Sequence, residues 1–253
     1  MIGHSITPPE VKRQSFSSRL SVRLYNSTLG KKDQTQVERL DVKLHELIHY
    51  LCRRVGVPWL RGWRHRWRLG KCGPLFFVGK GVKLYFPRYL TVGDGVAIGD
   101  YSYLNCLSLQ GVRIGDNVRL KEYVWLQVTS MLNDVGKGIT IGENTYIGPN
   151  CLLGGAGGIQ IGANCTFGAH VDLLAENHAF DRTDLPINQQ GTVREGIVVG
   201  DDCWIGDRVI VLDGVTVGYG CVIGAGSVVT RDIPEYCIAV GNPARVVRKR
   251  SKS

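Results

Sequence analysis

One histidine stands where an otherwise regular sequence breaks. His178 lies at the root of AENHAFDRTDLPINQQGTVREGI, residues 175–197. Neutral imidazole accepts a proton near neutral pH, so a histidine beside an acceptor hydroxyl can serve as its general base. An exposed loop histidine without chemistry is the plain alternative. The neighbouring His170 lies inside the regular pattern and reads as a surface or interface residue. His4, His45, His49 and His65 lie outside it. The eight cysteines contain no CxxC pair, so neither a zinc site nor a disulfide frame is expected.

The pattern that His178 interrupts is a six-residue repeat. Its starts are Val92, Ile98, Leu104; Ile114, Leu120, Leu126; Ile141, Ile147, Leu153; Ile161, Phe167, Leu173; and Val199, Ile205, Val211, Val217, Ile223, Val229. Twelve of these 18 starts are followed by Gly, too many for chance. Extra residues fall only between sets of three, at 110–113, 132–140, 159–160 and 179–198. A coil of three short strands explains this, with every insertion leaving from one corner and successive coils stacking in parallel. The first residue of each hexad points inward, and the following Gly is expected to supply a turn with positive φ. The fifth position also points inward and holds small or β-branched residues, among them Cys151, Cys165, Cys203 and Cys221. Those thiols read as packing groups.

Composition divides the chain near residue 90. Net charge is +13 over residues 1–90, −9 over 91–240 and +5 over 241–253. Residues 1–35 are polar, Ser-rich and read as a loose arm. Residues 36–78 read as a helical, basic and aromatic region, 79–240 as the repeat body and 241–253 as a basic tail. Apolar spacing from Gln36 to Val55 predicts an amphipathic helix, broken at Gly56-Val57-Pro58. WLRGWRHRWR follows, with Trp59, Trp63 and Trp67 interleaved with arginines. This Trp face is expected either to cap the first coil or to touch an anionic membrane surface. No stretch is long and apolar enough to span a bilayer, and no signal peptide is evident. The expected location is the cytoplasm, with peripheral contact at the inner membrane face through residues 59–68.

The stretch VVGDDCWIGDRVIVLDGVTVGYGCVIGAGSVVTRDIPEYCIAVGNPARVVRK, residues 198–249, resembles the C-terminal coils of hexapeptide-repeat acyltransferases. Within these it resembles the maltose and galactoside O-acetyltransferases, and more strongly the O-acetyltransferases acting on capsule, exopolysaccharide and O-antigen sugars. The match covers about residues 79–248. The resemblance implies a mainly β fold, a left-handed parallel β-helix of about six three-hexad coils. It also implies a homotrimer. Asn177-His178-x-Phe180, with Leu185-Pro186-Ile187 beyond, resembles the family's catalytic loop, which implies His178 as general base and Asn177 and Phe180 beside the acceptor. Trp204, Gly206, Ala225, Thr230, Arg231 and Arg245 correspond to contacts for the acetyl-CoA donor, with Arg248 and Lys249 as weaker candidates. For Gly206 and Ala225, packing explains the residue as well as binding does. Glu176 and Asp172 are near enough in sequence to orient the imidazole.

The implied reaction is acetyl transfer to a sugar hydroxyl without a metal. The runner-up is N-acetylation of a nucleotide-linked amino sugar. A γ-type carbonic anhydrase shares the coil but needs three zinc-binding histidines, and the body has two. A non-enzymatic scaffold and nucleic-acid binding by the Arg/Trp head are the remaining rivals; the acidic body disfavours extended nucleic-acid contact.

Overall fold

The computed structural model describes residues 44–251, in two compact units divided between Val57 and Pro58. The expected arm at 1–35 and the first part of the helix from Gln36 lie outside the described residues, as do Lys252 and Ser253. In the first unit, helix α1 covers Leu44–Leu51 and a π turn follows at Cys52–Gly56. The expected break at Gly56-Val57-Pro58 is absent. The π turn is closed by the Val57 N–H donating to the Cys52 carbonyl, and α2 runs over Val57–His65. Pro58 lies just after this π turn, where the i→i−4 ladder is already interrupted.

The second unit is a left-handed parallel β-helix of three sheets. The first face stacks Lys71–Cys72, Leu90–Val92, Val112–Ile114, Ile139–Ile141, Ile159–Ile161, Ile197–Val199 and Thr216–Val217. The second stacks Phe76–Val78, Val96–Ile98, Arg119–Leu120, Tyr146–Ile147, Thr166–Phe167, Trp204–Ile205, Val222–Ile223 and Cys237–Val240, then Arg245–Lys249 in antiparallel pairing. The third stacks Lys83–Tyr85, Tyr103–Asn105, Trp125–Gln127, Leu152–Gly154, Asp172–Leu174, Ile210–Leu212 and Val228–Val229. The first and third faces hold seven rungs each and the second holds eight parallel strands plus the antiparallel tail strand, so there is one full coil more than the six expected. The extra coil starts at Lys71, ahead of the expected boundary at 79. Its hexads begin at Cys72, Val78 and Leu84, and a polarisable thiol in place of an aliphatic start hides the first.

Register is strict. Ile139 aligns with Val112 below and Ile159 above, so identical hexad positions stack. First positions such as Leu104, Leu126, Leu153, Phe167 and Leu173 are fully buried and fill the prism. Fifth positions do more than pack. The Thr145 hydroxyl donates to the Gly162 carbonyl at 2.9 Å, and the thiols of Cys151, Cys165 and Cys203 donate to Gly168, Gly200 and Gly218 at 3.1–3.2 Å. Burial pushes the Cys106 thiol up to about 12 and is the main cause raising Cys151 to about 11, so both stay protonated.

The turn chemistry differs from the expectation. Positive φ falls at the fourth hexad position, as at Asn117, Asn144, Asn164 and His170, residue types of which Asn tolerates it best. Second-position Gly is needed for close stacking instead. A Cβ on Gly148 would lie 2.0 Å from the Gly168 carbonyl oxygen of the next coil. Third-position aspartates tie the same turns together. Asp100 accepts the Lys80 N–H at 2.7 Å and Asp201 accepts the Ala163 N–H at 2.8 Å.

At the N-terminal end, α2 lies against the first coil at Gly62, and Pro58 one turn earlier is also buried. A Cβ on Gly62 would overlap the Phe76 carbonyl. The helix thus covers part of the open end, but not with its tryptophans. Trp59, Trp63 and Trp67 all face outward.

Candidate active site

Every long insertion leaves the third face and returns to the first. The return is made by a column of glycines, Gly111, Gly138, Gly158, Gly196 and Gly214, all with positive φ. Each precedes a first-face strand or its rung, and the column is linked by bonds such as Ile159 N–H to Gly138 O and Ile197 N–H to Gly158 O. Glycine supplies the left-handed backbone at all five positions and, at Gly138 and Gly196, also the close approach to the backbone of the coil below.

His178 stands on the largest of these insertions. Asn177–His178 pairs antiparallel with Thr192–Val193, placing His178 opposite Thr192. The loop beyond is braced by Gln190, whose amide N–H groups donate to the carbonyls of Arg182 and Leu185 at 2.7 and 2.9 Å. At the hairpin root Arg194 joins two insertions. Its Nη1 and Nη2 donate to both carboxylate oxygens of Asp134 at 2.6 Å, and its Nε donates to Glu176 at 2.5 Å. The hydrogen bond from Arg194 holds Asp134 below the usual carboxylate range, and the bonds to Asp134 and Glu176 keep Arg194 charged. Lys137 adds a bond to the Arg194 carbonyl at 3.3 Å. Asp213 accepts the N–H groups of Glu195 and Gly196, closing the return. Nothing in the residue pattern marks Arg194 as a clamp, because Asp134 is 60 residues away.

The His178 side chain is exposed and has no hydrogen-bond partner among the described residues. Asn177 is also exposed, and Phe180 is 68 % exposed. Glu176, expected as a possible orienting group, is instead held by Arg194. Asp172 points out of the third face; burial raises its pKa, opposed by the charge of His170 and a backbone hydrogen bond from Leu152.

The donor candidates occupy two other places. Trp204 is exposed on the second face. Gly206 and Ala225 stack at the corner between the second and third faces, where a Cβ on Gly206 would meet the Ala225 N at 2.6 Å. Thr230 and Arg231 are exposed at the insertion corner of the last coil, and Arg245 is exposed opposite Val240 in the tail hairpin. Arg248 and Lys249 follow on the same strand, both exposed. One chain therefore places Gly206 and Ala225 a whole prism side away from the edge carrying His178. An open groove of about 730 Å³ lies on the first face beside the hairpin root, lined by Arg113, Lys137, Thr140, Gln160, Glu195 and Thr216 among others. No group of three or more metal-ligating side chains occurs among the described residues.

Comparison with known proteins agrees with this architecture. Residues 196–231 match the bacterial transferase hexapeptide (six repeats), and residues 138–171 match the hexapeptide repeat of succinyl-transferase. These two stretches therefore carry hexapeptide repeats of the kind found in bacterial transferases. A Mycobacterium tuberculosis protein with a provisional acetyltransferase name is 33 % identical over 221 residues, which is 83 % of this chain and 64 % of that protein. A Staphylococcus aureus protein, also provisionally named as an acetyltransferase, is 42 % identical over 46 % of this chain and 57 % of its own length. The chain thus spans about three fifths of the length of these relatives. Among solved structures, an N-acyltransferase from Bacillus cereus, crystallised as a D94N mutant with dTDP and coenzyme A, has the same fold. It superposes with a TM-score of 0.53 at 19 % identity, covering 75 % of this chain and 89 % of that one.

Proposed function

We propose that this protein is an acetyl-CoA-dependent O-acetyltransferase whose acceptor is a sugar hydroxyl, of the kind found in capsule, exopolysaccharide or lipopolysaccharide precursors. The observation that carries the reading is His178, an exposed imidazole on a hairpin braced at both ends. A general base must be open to its substrate yet held in place, and this loop provides both. The acetyltransferase names of the relatives support the same reaction class.

In the proposed step the imidazole takes the proton of the acceptor hydroxyl as its oxygen attacks the thioester carbon. The tetrahedral oxyanion is stabilised by a backbone N–H of a coil. Collapse breaks the C–S bond, and the imidazolium returns its proton to the departing CoA sulfur. The thioester is already activated, so neither a metal nor an acyl-enzyme is required. Arg194 fixes the hairpin and Asn177 and Phe180 border the acceptor. Trp204, Gly206, Ala225 and Thr230 line the pantetheine path. Arg231 and Arg245, with Arg248 and Lys249 behind them, meet the phosphates. Since one chain separates these groups by a prism side, a neighbouring copy completes the site, as in a homotrimer. The second reading, transfer to an amine on a nucleotide-linked amino sugar, uses the same donor site and base.

The test incubates the full chain with acetyl-CoA and a panel of sugars bearing free hydroxyls or amines, read by mass spectrometry. An ester product that vanishes in His178→Ala supports the reading. An amide product moves the assignment to N-acetylation, and no CoA binding by calorimetry overturns the acyltransferase assignment itself.

A further inference from the structure

An exposed aromatic patch lies on α2, away from the His178 loop, on the face that the coil leaves uncovered. At about 100° per residue, Trp59, Leu60 and Trp63 fall within one arc of about 100°, and Trp67 continues the row in the 3-10 turn Arg66–Arg68. Their exposures are 39 %, 57 %, 52 % and 80 %. Such a patch is costly to leave in water, and packing of α2 on the coil does not explain it. That packing is made at Gly62, which lies outside this arc, as does the buried Pro58.

The flank of this arc is cationic. Arg64 and Arg68 are exposed, and none of the arginines in residues 61–68 makes an ion pair with a described residue. No Asp or Glu occurs from residue 58 to residue 93, a stretch holding eight Lys and Arg. This positive field is felt locally. Burial, and after it the charges of Arg68 and Arg64, hold His65 below its ordinary pKa.

We propose that this face of α2 docks on an anionic lipid bilayer. The apolar arc enters the interfacial region while the arginines remain at headgroup level. Trp suits that boundary because its ring is apolar and its N–H is polar. The arrangement fits lipid better than nucleic acid. The rings form a continuous apolar strip with Leu60 between them, whereas a single strand needs separated stacking platforms along a basic groove. The charge pattern also argues against a second copy as the occupant. A symmetric contact would place like-charged arginines against each other. The proposal is independent of the reaction assigned to His178.

The experiment uses the full chain with sucrose-loaded vesicles of phosphatidylcholine and phosphatidylglycerol at 7:3, and with phosphatidylcholine alone, at low and high salt. The full chain is expected to pellet with the anionic vesicles at low salt and to remain in the supernatant with the neutral ones. Trp63→Ala/Trp67→Ala should lower the partition coefficient about tenfold or more, and Arg64→Ala/Arg68→Ala by a similar factor. These side chains are exposed, so melting temperatures should be unchanged, which a thermal scan verifies. No pelleting, or pelleting that survives the double Trp substitution, overturns the proposal. So does a change of sedimentation coefficient in the Trp variant, which would make the face a contact between copies. Binding of a 20-nucleotide single strand that is lost with the tryptophans while vesicle pelleting persists also overturns it.

Discussion

The three corners of the prism start from one repeat and end with different duties. At the corners closing the first and second faces, the chain turns on a stacked Gly and a fourth-position residue with positive φ. Nothing is inserted there, because each turn sits directly on the next. At the corner between the third and first faces, the strand runs on and the chain returns through the glycine column at Gly111, Gly138, Gly158, Gly196 and Gly214. Segments of different length leave there without disturbing a rung. Stacking makes two corners structural and frees the third for insertions, the longest of which carries His178.

Substitutions at the two kinds of corner should therefore fail in different ways. The largest effect is expected at the free corner. His178→Ala should lower kcat by about 10²–10⁴ with melting temperature and acetyl-CoA affinity nearly unchanged, as steady-state kinetics and calorimetry would show. Near wild-type turnover on the true acceptor would remove His178 from the mechanism. At a stacked corner the loss should be in stability. Gly148→Val forces a branched side chain into the backbone of the next coil and should cost roughly 3 kcal/mol or more. At about 2–4 °C per kcal/mol for a domain of this size, a thermal scan should show a fall of roughly 10 °C. An unchanged melting temperature would mean that the coils do not stack as closely as described.

Arg194→Ala tests the region between these extremes. It leaves Asp134 and Glu176 unpaired at the hairpin root and should lower kcat about tenfold, with little change in acetyl-CoA affinity. Arg194→Lys should recover only part of this, since one ammonium cannot span both carboxylates. Equal activity in all three proteins would show that the hairpin holds its shape without the clamp. The smallest effect is expected away from the loop. Arg245→Ala should raise the acetyl-CoA Kd several-fold, more strongly at low salt because charge contacts are then less screened. A Kd independent of Arg245 at every salt concentration would take it out of the donor site.

Much of the fold was legible because a β-helix repeats its environment at a fixed sequence spacing. Even the free corner left a mark. Gly follows 11 of the 12 starts on the first and second faces but only Leu153 among the six third-face starts. The earliest coil was missed because Cys72 replaces the aliphatic start. The positive φ was assigned two residues early because Gly suits both a left-handed turn and a tight contact, and type alone does not separate them. His178 was visible as a departure from period. Its clamp was not, since Arg194–Asp134 is a tertiary pair with no periodic signature. The packed face of α2 was hidden as well, because its contact is made at the small residue Gly62 while the large aromatics draw attention elsewhere.

The aspartate ties between coils bear on how the chain finds this shape. The Lys80–Asp100 bond closes 20 residues, whereas Ala163–Asp201 closes 38, because it spans the His178 loop. Closure entropy grows only with the logarithm of loop length, so this near-doubling costs about 0.6 kcal/mol. That is less than the usual net value of a single hydrogen bond, about 1 kcal/mol. A growing coil can therefore close past the longest insertion at almost the same cost as past a bare turn, so the fold tolerates a long loop at this corner with little loss of stability.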